Sequence, residues 1–454
     1  MAHALDRHLV LIGFMGAGKS TIGASVAERL GRPLRDVDRE IERAHGPIPE
    51  LFEREGETAF RELEASFVKE ACARREPAVI AVGGGAVETR SLLSELDALV
   101  VLLDVEVDTA WRRVGGSRRP LARDETAFRK RYELRRPLYE SAAHARGTDA
   151  DDVVLAAAGI RFAPHHEAVG DALVADEHVA ELHTIAATHR VPRGESAKTL
   201  AEAERLWRAL RVERGGTVVA VGGGSTTDLV GFVAATYLRG VSWTAVPSTL
   251  VGQVDAAIGG KTGIDLADAK NLVGAFHWPV ETIVDTTFLE TLPEDEVRNG
   301  AAEVVKTGLL AGEPLWELPL AEQVRRCAAF KAAICLRDPF DRGVRAELNL
   351  GHTFAHALEA ASAFTLSHGR AVALGLTAAL RLSELEDEAA RVEEILRPRR
   401  VRVDRDAAWA ALLRDKKAVD GRPRLVLLDA PGRPRLGVDL DPAVVRDALD
   451  ALIE

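Results

Sequence analysis

The chain of 454 residues has few of the features that staple or anchor a protein. It carries three cysteines, Cys72, Cys327 and Cys335, and none belongs to a Cys-x-x-Cys pair. An odd, scattered set argues against a disulfide framework and a cysteine zinc cluster, and for a reducing compartment. No apolar run approaches the roughly 18 residues of a membrane span. The run Leu9 to Phe14 has no basic segment before it and no cleavage site after it, which argues against a signal peptide. Basic residues (59) are outnumbered by acidic ones (70), for a net charge of -11. That balance argues against nucleic-acid binding through a general basic surface, but leaves room for local pockets for small anions. The expectation is a cytoplasmic protein whose partners are small molecules, with no nucleic acid and no membrane.

What is present is ordinary globular composition, 47% apolar and 28% charged. The length predicts about three compact units. Up to about residue 150, strand candidates (His8 to Gly13, Ala78 to Val82, Ala98 to Asp104) alternate with helical patterns such as Lys19 to Leu30. That rhythm predicts a parallel sheet covered on both faces. The pattern weakens between about 140 and 165, then resumes with strands at Ala172 to Ala175 and Thr217 to Val221 and a helix at Thr226 to Tyr237. Beyond about 290, helices are expected at Glu294 to Leu310, Pro319 to Arg337, Val344 to Ala363 and Gly369 to Glu388, with one strand at Arg424 to Leu428. The predicted fold is α/β in three parts: a P-loop unit with a parallel sheet (1–155), a Rossmann-like unit (156–290) and a mostly helical metal-binding unit (291–454).

Gly13-Phe-Met-Gly16-Ala17-Gly18-Lys19-Ser20 fits G-x-x-x-x-G-K-[ST], between a strand and a helix. Backbone amides of such a loop, through Ser20 and Thr21, cradle phosphates; Lys19 reaches the terminal ones and the Ser20 hydroxyl holds Mg2+. Asp36 and Asp38 converge on one side if they end a strand; alternatively Asp38 caps a helix from Arg39 to His45. Arg61 falls early in a helix after Gly56-Glu57. In order along the chain, the P-loop, Asp-x-Asp, Gly-Glu-x-x-Phe-Arg, the Gly83-Gly84-Gly85 turn, Arg119-Pro-Leu and Arg135-Arg-Pro-Leu-Tyr139 closely resemble shikimate kinase over about residues 5–150. The resemblance implies that Asp38, Arg61, Gly83, Gly84, Gly85 and Arg135 bind shikimate and that Asp38 is the catalytic base. It implies further that Asp36 helps hold Mg2+ and that Arg119, on a lid, binds ATP and steadies the transferring phosphoryl group. The lid, Arg119 to Tyr139, is shorter than the family pattern.

Ala-Val-Gly-Gly-Gly occurs twice, at 81–85 and at 220–224. The continuations differ: no acidic helix residue is expected close after Gly85, whereas Asp228 comes four residues after Gly224. A strand, a glycine turn (Gly223, Gly224, Ser225) and a helix can bring a pyrophosphate to a helix N-terminus, although the spelling is not G-x-G-x-x-G. Gly259-Gly260-Lys261-Thr262 is not a second P-loop, because Asp255 stands where the first glycine is required. Lys261, Lys270 and Asn271 could contact substrate oxygens. On one predicted helix Arg345, Asn349, His352 and His356 fall at i, i+4, i+7 and i+11, a single polar stripe. His352 and His356 have zinc-compatible spacing, but His368 and Glu303 are also available, and spacing does not choose among them.

Residues from about 165 to 454 resemble 3-dehydroquinate synthase through GGGSTTDLVGFVAATYLRG, QVDAAIGGKTG, KNLVGAFHWP, AAEVVKTGL, LNLGHTFAHALE, SHGRAV and DKK. The resemblance implies Glu303, His352 and His368 as ligands of one divalent metal, Zn2+ or Co2+, with His356 acting as acid/base near the substrate. It assigns Asp255, Arg239, Lys261, Lys270, Asn271, Lys306, Lys331, Arg345 and Asn349 to the heptulosonate phosphate and its chemistry. It assigns Glu195, Lys198, Gly223, Gly224, Ser225, Asp228, Ser248, Thr249, Lys261 and Lys270 to NAD+, and one of Lys416 and Lys417 to the substrate. It also implies a homo-oligomer, a dimer through this half. By the family's reaction, NAD+ transiently oxidises a substrate hydroxyl, phosphate is eliminated, hydride returns, and an aldol closure gives 3-dehydroquinate. The sequence departs from the pattern at Pro339, at Arg370 and at Thr307. Two rival readings are a metal-dependent polyol dehydrogenase in the second half, and a non-catalytic binding or regulatory module in one half.

Overall fold

The computed structural model describes residues 5–89, 91–115, 120–266, 269–414 and 423–454. The chain forms two compact units, Met1–Arg161 and Phe162–Glu454. Arg119, Lys416 and Lys417 lie outside the described residues. Among the described residues, no helix is long and apolar enough to cross a membrane.

The first unit has strands β1 (His8–Ile12), β2 (Leu34–Asp36), β3 (Val79–Ala81), β4 (Ala98–Leu103) and β5 (Ala145–Gly147), in the order β2-β3-β1-β4-β5. Neighbours are parallel throughout. Its helices are α1 (Lys19–Leu30), α2 (Val37–His45), α3 (Ile48–Cys72), α4 (Val107–Val114), α5 (Glu125–Ala142) and α6 (Ala150–Ala157). β1 and β4 are buried at every residue and read as unbroken apolar runs, as strands covered on both faces do. β2 and β3 lie on one side of the central β1 and β4 and β5 on the other, and the P-loop follows β1 at that switch point.

The second unit has a six-stranded sheet in the order β6-β13-β10-β9-β7-β8, built from β6 (Ile160–Phe162), β7 (Ala172–Asp176), β8 (His189–Val191), β9 (Thr217–Gly222), β10 (Ser242–Pro247) and β13 (Glu281–Val284). Alternation sorts its side chains. Val218 and Ala220 pack with Leu229, Val230 and Trp243 on one face, and Val219 and Val221 pack with Val246, Ile283 and Phe288 on the other. Helices α7 (Glu177–Leu182), α8 (Leu200–Ala209) and α9 (Gly224–Thr236) accompany it. A hairpin of β11 (Lys261–Leu266) and β12 (Ala269–Phe276) stands apart from the sheet. The helical part contains α10 (Glu294–Ala311), α11 (Leu320–Arg337), α12 (His352–Ala361), α13 (His368–Leu382), α14 (Glu386–Leu396), α15 (Arg405–Leu413) and α16 (Pro442–Asp450), with the hairpin β14 (Leu425–Ala430) and β15 (Arg433–Val438). The α/β fold class matches the expectation from sequence, but the chain separates into two compact units where its length predicts about three.

Three local expectations are corrected. Residues 344–363 are not one helix: a 3-10 segment (Val344–Asn349) ends at extended Leu350, Gly351 takes a left-handed φ of 77°, and α12 begins at His352. The break is forced by packing, because a Cβ on Gly351 would lie 2.7 Å from the Leu376 amide nitrogen. Residues 369–388 likewise divide into α13 and α14, with Glu384 at a φ of 61° between them. β2 stops at Asp36 rather than running to Asp38, since the Asp36 carboxylate caps α2 by accepting the Arg39 amide at 3.2 Å. The weak stretch at 140–165 holds α6 and β6, and the division between the two units, after Arg161, falls within it.

Candidate functional sites

In the first unit, Lys19 opens α1 and folds back over its loop, donating to the carbonyls of Gly13 at 2.7 Å and Phe14 at 3.3 Å. α1 has no side-chain cap and no acidic residue in its first turn. Its first amides and its dipole therefore favour an anion, with Ser20 and Thr21 in that turn.

The first glycine turn is a place where side chains come against backbone. A Cβ on Gly83 would lie 2.0 Å from Glu64 Oε1 and 2.8 Å from Asp38 Oδ1; one on Gly85 would lie 2.1 Å from Arg61 Cζ. Only glycine leaves room for these groups. Arg61 donates to Glu64 at 2.7 Å and to Glu57 at 3.1 Å. Burial raises the pKa of Glu64 above the ordinary carboxylate value, and Arg61 only partly offsets it. Arg135, on α5, is fully buried and gripped at two points by Glu88. Tyr139 donates its hydroxyl to the Gly84 carbonyl. Glu88 corrects the sequence reading, since an acidic residue does come close after Gly85, at the end of a 3-10 turn (Ala86–Glu88).

In the second unit, β9 ends at Gly222 and α9 begins at Gly224, with no side-chain cap. Ser225 donates to Glu195 at 2.7 Å, and buried Lys198 donates to Asp228 at 2.9 Å and to Asn271 at 2.5 Å. Burial opposes the charge on Lys198, but Asp228 and Glu195 outweigh it and raise its pKa. Lys270 lies 3.9 Å from Glu195. The Ser248 amide donates to Gly222 at 2.8 Å, and Thr249 accepts the Gly252 amide at 3.1 Å. These residues surround the glycine turn.

Deeper in this unit, Glu303, His352 and His368 bring ligand atoms within 4.8 Å of one another. His368 Nε2 is 3.1 Å and His352 Nε2 3.5 Å from Glu303 Oε1. The outer nitrogens are engaged too: His352 Nδ1 with the Leu350 carbonyl at 3.2 Å, His368 Nδ1 with Glu359 at 3.2 Å. That arrangement aims both Nε2 atoms inward, as ligand histidines require. Burial opposes protonation of His368, yet its bonds to Glu303 and Glu359 raise its pKa to about 10.

Beside the triad, Lys306 contacts Glu303 and lies 3.6 Å from Asp255. Lys331 reaches Asp255 Oδ1 at 2.9 Å. Lys261 pairs with Asp341 at 2.6 Å. Buried Arg345 donates to the Pro339 carbonyl at 3.3 Å, an acceptor that proline keeps, while Asp338 accepts the Arg345 amide at 3.1 Å. Arg370 points to the carbonyls of Arg399 and Arg400 rather than to the triad. Thr307 bonds back to the Glu303 carbonyl at 2.8 Å. Asn349 bonds within its own turn, to the Ala346 carbonyl at 2.9 Å. His356 is exposed, its ring edge-on to His352 at 5.5 Å. Arg239 is exposed beyond the C-terminal end of α9, a helix of about 20 Å whose other end holds the glycine turn.

Sequence reasoning missed Glu64, Glu88, Asp265 and Glu359. Asp265 accepts the Asn271 amide at 2.8 Å and lies 3.8 Å from Lys198. Glu64 and Glu359 were findable: Glu64 follows Arg61 at i+3, and Glu359 follows His352 at i+7, on the same face.

Similarity to known proteins respects this division. The shikimate kinase family profile matches residues 15–159, the 3-dehydroquinate synthase N-terminal profile residues 188–299, and the 3-dehydroquinate synthase C-terminal profile residues 300–418. A bifunctional shikimate kinase/3-dehydroquinate synthase of Thermotoga maritima is 33% identical over 496 residues, covering 97% of this chain and 100% of that protein. A 3-dehydroquinate synthase of Streptomyces avermitilis is 40% identical over 314 residues, covering 62% of this chain and 85% of that protein. Among solved structures, a 2-epi-5-epi-valiolone synthase of Streptomyces hygroscopicus with NAD+ and Zn2+ bound is similar at a TM-score of 0.59 and 25% identity, over 64% of this chain and 95% of that one.

Proposed function

The chain belongs to the bifunctional shikimate kinase/3-dehydroquinate synthase family of the shikimate pathway, and on that premise we propose how its residues divide the two reactions. Residues 1–155 carry the kinase and residues 156–454 the synthase, the latter as a nucleotide-binding part to 290 and a helical part beyond.

In the kinase, the first-turn amides of α1 and Lys19 hold the ATP phosphates, while Ser20 and Asp36 hold Mg2+. Arg61 and Arg135 take the shikimate carboxylate, and the Gly83-Gly84-Gly85 backbone lies against the ring. Asp38 takes the proton of the shikimate 3-hydroxyl as that hydroxyl's oxygen bonds to the γ-phosphorus and the bond from phosphorus to the bridging oxygen breaks, releasing ADP. Arg119 remains assigned to the transferring phosphate by resemblance alone. Positioning and charge do this work, as phosphoryl transfer requires.

In the synthase, Glu303, His352 and His368 fit a divalent ion of the zinc or cobalt kind: one carboxylate and two imidazoles converge, each imidazole fixed by an acceptor on its far nitrogen. Gly223, Gly224 and Ser225, with Glu195, Lys198, Asp228, Ser248, Thr249, Lys261 and Lys270, hold NAD+. When bound, NAD+ supplies reversible hydride transfer, and the metal polarises substrate oxygens. The chain's own residues position and charge-match. Lys261, Lys306, Lys331, Arg345 and Lys270 neutralise substrate phosphate and carboxylate; Asn271 and Asn349 hold hydroxyls; Asp255 completes the substrate shell, whereas Arg239, exposed past the far end of α9, is assigned to it by resemblance alone. His356 holds and moves a proton at the substrate.

The observation that carries this reading is a pair of buried cations beside the metal triad: Lys306 on Glu303 and Asp255, and Lys331 on the same Asp255. A polyol would not need them; a phosphorylated acid does. The decisive assay is phosphate release from 3-deoxy-D-arabino-heptulosonate 7-phosphate, with and without NAD+ and a chelator. Release that needs both NAD+ and metal, without net NADH, is expected; net NADH formation from glycerol would favour the polyol dehydrogenase instead. We also propose a cytoplasmic enzyme that dimerises through the synthase half, which sedimentation of the full chain and of the kinase half checks.

A further inference from the structure

The guanidinium assigned to the shikimate carboxylate already holds a carboxylate. Arg135 Nε donates to Glu88 Oε1 at 3.0 Å and Nη2 to Glu88 Oε2 at 2.6 Å; Nη1 donates to the Gly84 carbonyl at 3.2 Å. Two parallel bonds on one edge are the grip a planar guanidinium gives an incoming carboxylate. Glu88 occupies that edge. Its Oε2 is also 4.0 Å from Arg61 Nη2, the second arginine assigned to the same substrate group. Arg61 is otherwise turned to Glu64 and Glu57. Glu88 thus sits against both arginines, where a substrate carboxylate is expected.

The two partners differ in freedom. The Arg135 side chain is 2% exposed and that of Glu88 is 40% exposed. Glu88 ends a three-residue 3-10 turn directly after the glycine triplet. Beside it opens a hollow of about 650 Å³, lined among others by Arg61, Lys69, Glu88 and Thr89. A rotation of the side chain alone can carry the Glu88 carboxylate off Arg135 toward water and toward that hollow. Arg135 cannot follow.

We propose that Glu88 is an internal competitor for shikimate: it occupies Arg135 in the free enzyme and must swing out before the substrate carboxylate can bind. This rests on the reading of Arg135 as a carboxylate-binding residue. Binding is then an exchange of one carboxylate for another on a buried cation. The exchange lowers apparent affinity for shikimate. It also rejects analogues without a negative charge, which would leave the buried guanidinium unpaired.

Steady-state kinetics of the full chain test it, with Glu88→Ala, Glu88→Gln and Arg135→Lys. Glu88→Ala should lower the KM for shikimate about three- to tenfold, the range of a partly exposed charge pair, with the KM for ATP unchanged. Glu88→Gln, which keeps the side-chain volume, should shift it the same way by less. Arg135→Lys should raise it at least tenfold. If both Glu88 variants leave the KM for shikimate unchanged or raise it while Arg135→Lys also raises it, Glu88 positions Arg135 and the competitor role is overturned. If Arg135→Lys leaves the KM unmoved, the underlying assignment of Arg135 fails instead.

Discussion

The two Ala-Val-Gly-Gly-Gly stretches end strands in two different sheets, and in both glycine makes room for neighbouring side chains, but the neighbours differ in kind. At 83–85 glycine makes room for side chains: Asp38, Glu64 and Arg61 stand where a Cβ would go. The turn then runs into a 3-10 segment of three residues and presents a wall to a ligand held by those side chains. At 222–224 the neighbours are the small side chains of Thr226, Thr249 and Ala256, and the turn opens a helix of 13 residues whose first amides no side chain caps. The first turn packs against charged side chains, the second against small uncharged ones with its helix amides left uncapped. The same five letters therefore identify a backbone need and leave the ligand to the neighbours.

Separating the two halves by mutation is the strongest way to break this comparison. Lys19→Ala should cut shikimate phosphorylation by at least a thousandfold and leave phosphate release from the heptulosonate phosphate intact; His368→Ala should do the reverse and lose bound metal, measured by elemental analysis. If His356→Ala loses the metal and His368→Ala keeps it, the ligand assignment is wrong. Next in size is Gly85→Ala. The added methyl falls on the Arg61 guanidinium, so kcat/KM for shikimate should drop about a hundredfold, near the 10²-fold effect of a 1 Å misplacement, while ATP binding holds. Glu359→Gln should weaken metal binding about 10- to 100-fold, read by competition with a chromophoric chelator. Gly224→Ala should be milder. Its methyl would meet only the Ala256 methyl, at 2.9 Å, so the Kd for NAD+ should rise about tenfold, roughly 1.4 kcal/mol. If Gly224→Ala proves as damaging to its half as Gly85→Ala is to the other, the distinction between the turns collapses.

The smallest effect belongs to a control away from both turns. Asp285 accepts bonds from the Thr287 amide and hydroxyl and from His165; burial opposes its charge, but these bonds win and lower its pKa to about 2. A depressed carboxylate stabilises above its unfolded value of about 3.9 and loses that contribution as pH falls through about 2. Asp285→Asn should therefore lower the thermal midpoint by a few degrees at pH 7 and change little near pH 2. Neither KM should move.

How much of this was legible in the sequence varied with the range of the forces involved. α1 was read correctly from Lys19 to Leu30 because a glycine loop and a buried helical stripe are both local signals. The β11–β12 hairpin went unread, since Lys261, Lys270 and Asn271 were noticed as polar residues but not as strand members; of the second hairpin only the first strand, near Arg424 to Leu428, was read. The supposed helix through Arg345 and His356 had the right period and the wrong continuity. Its break depends on Gly351 meeting Gly375 backbone from α13, a contact that no window on the sequence contains. The metal triad needed three elements brought together, so its residues could be nominated but not chosen by spacing. The missed acids share a role. Glu64, Glu88 and Glu359 act on a neighbour's side chain; helical spacing from Arg61 and His352 marks the first and last, whereas Glu88, in a three-residue 3-10 turn, carries no such mark.

The two imidazoles of the metal triad are oriented by different kinds of partner, which makes them unequal targets for evolution. A carbonyl can only accept, so the Leu350 backbone fixes His352 with its proton on Nδ1, and no substitution at position 350 deletes that acceptor. His368 depends on the Glu359 side chain, which one nucleotide change can alter. Drift in metal preference or affinity within this chain therefore has an open route through position 359 and a closed one through position 350.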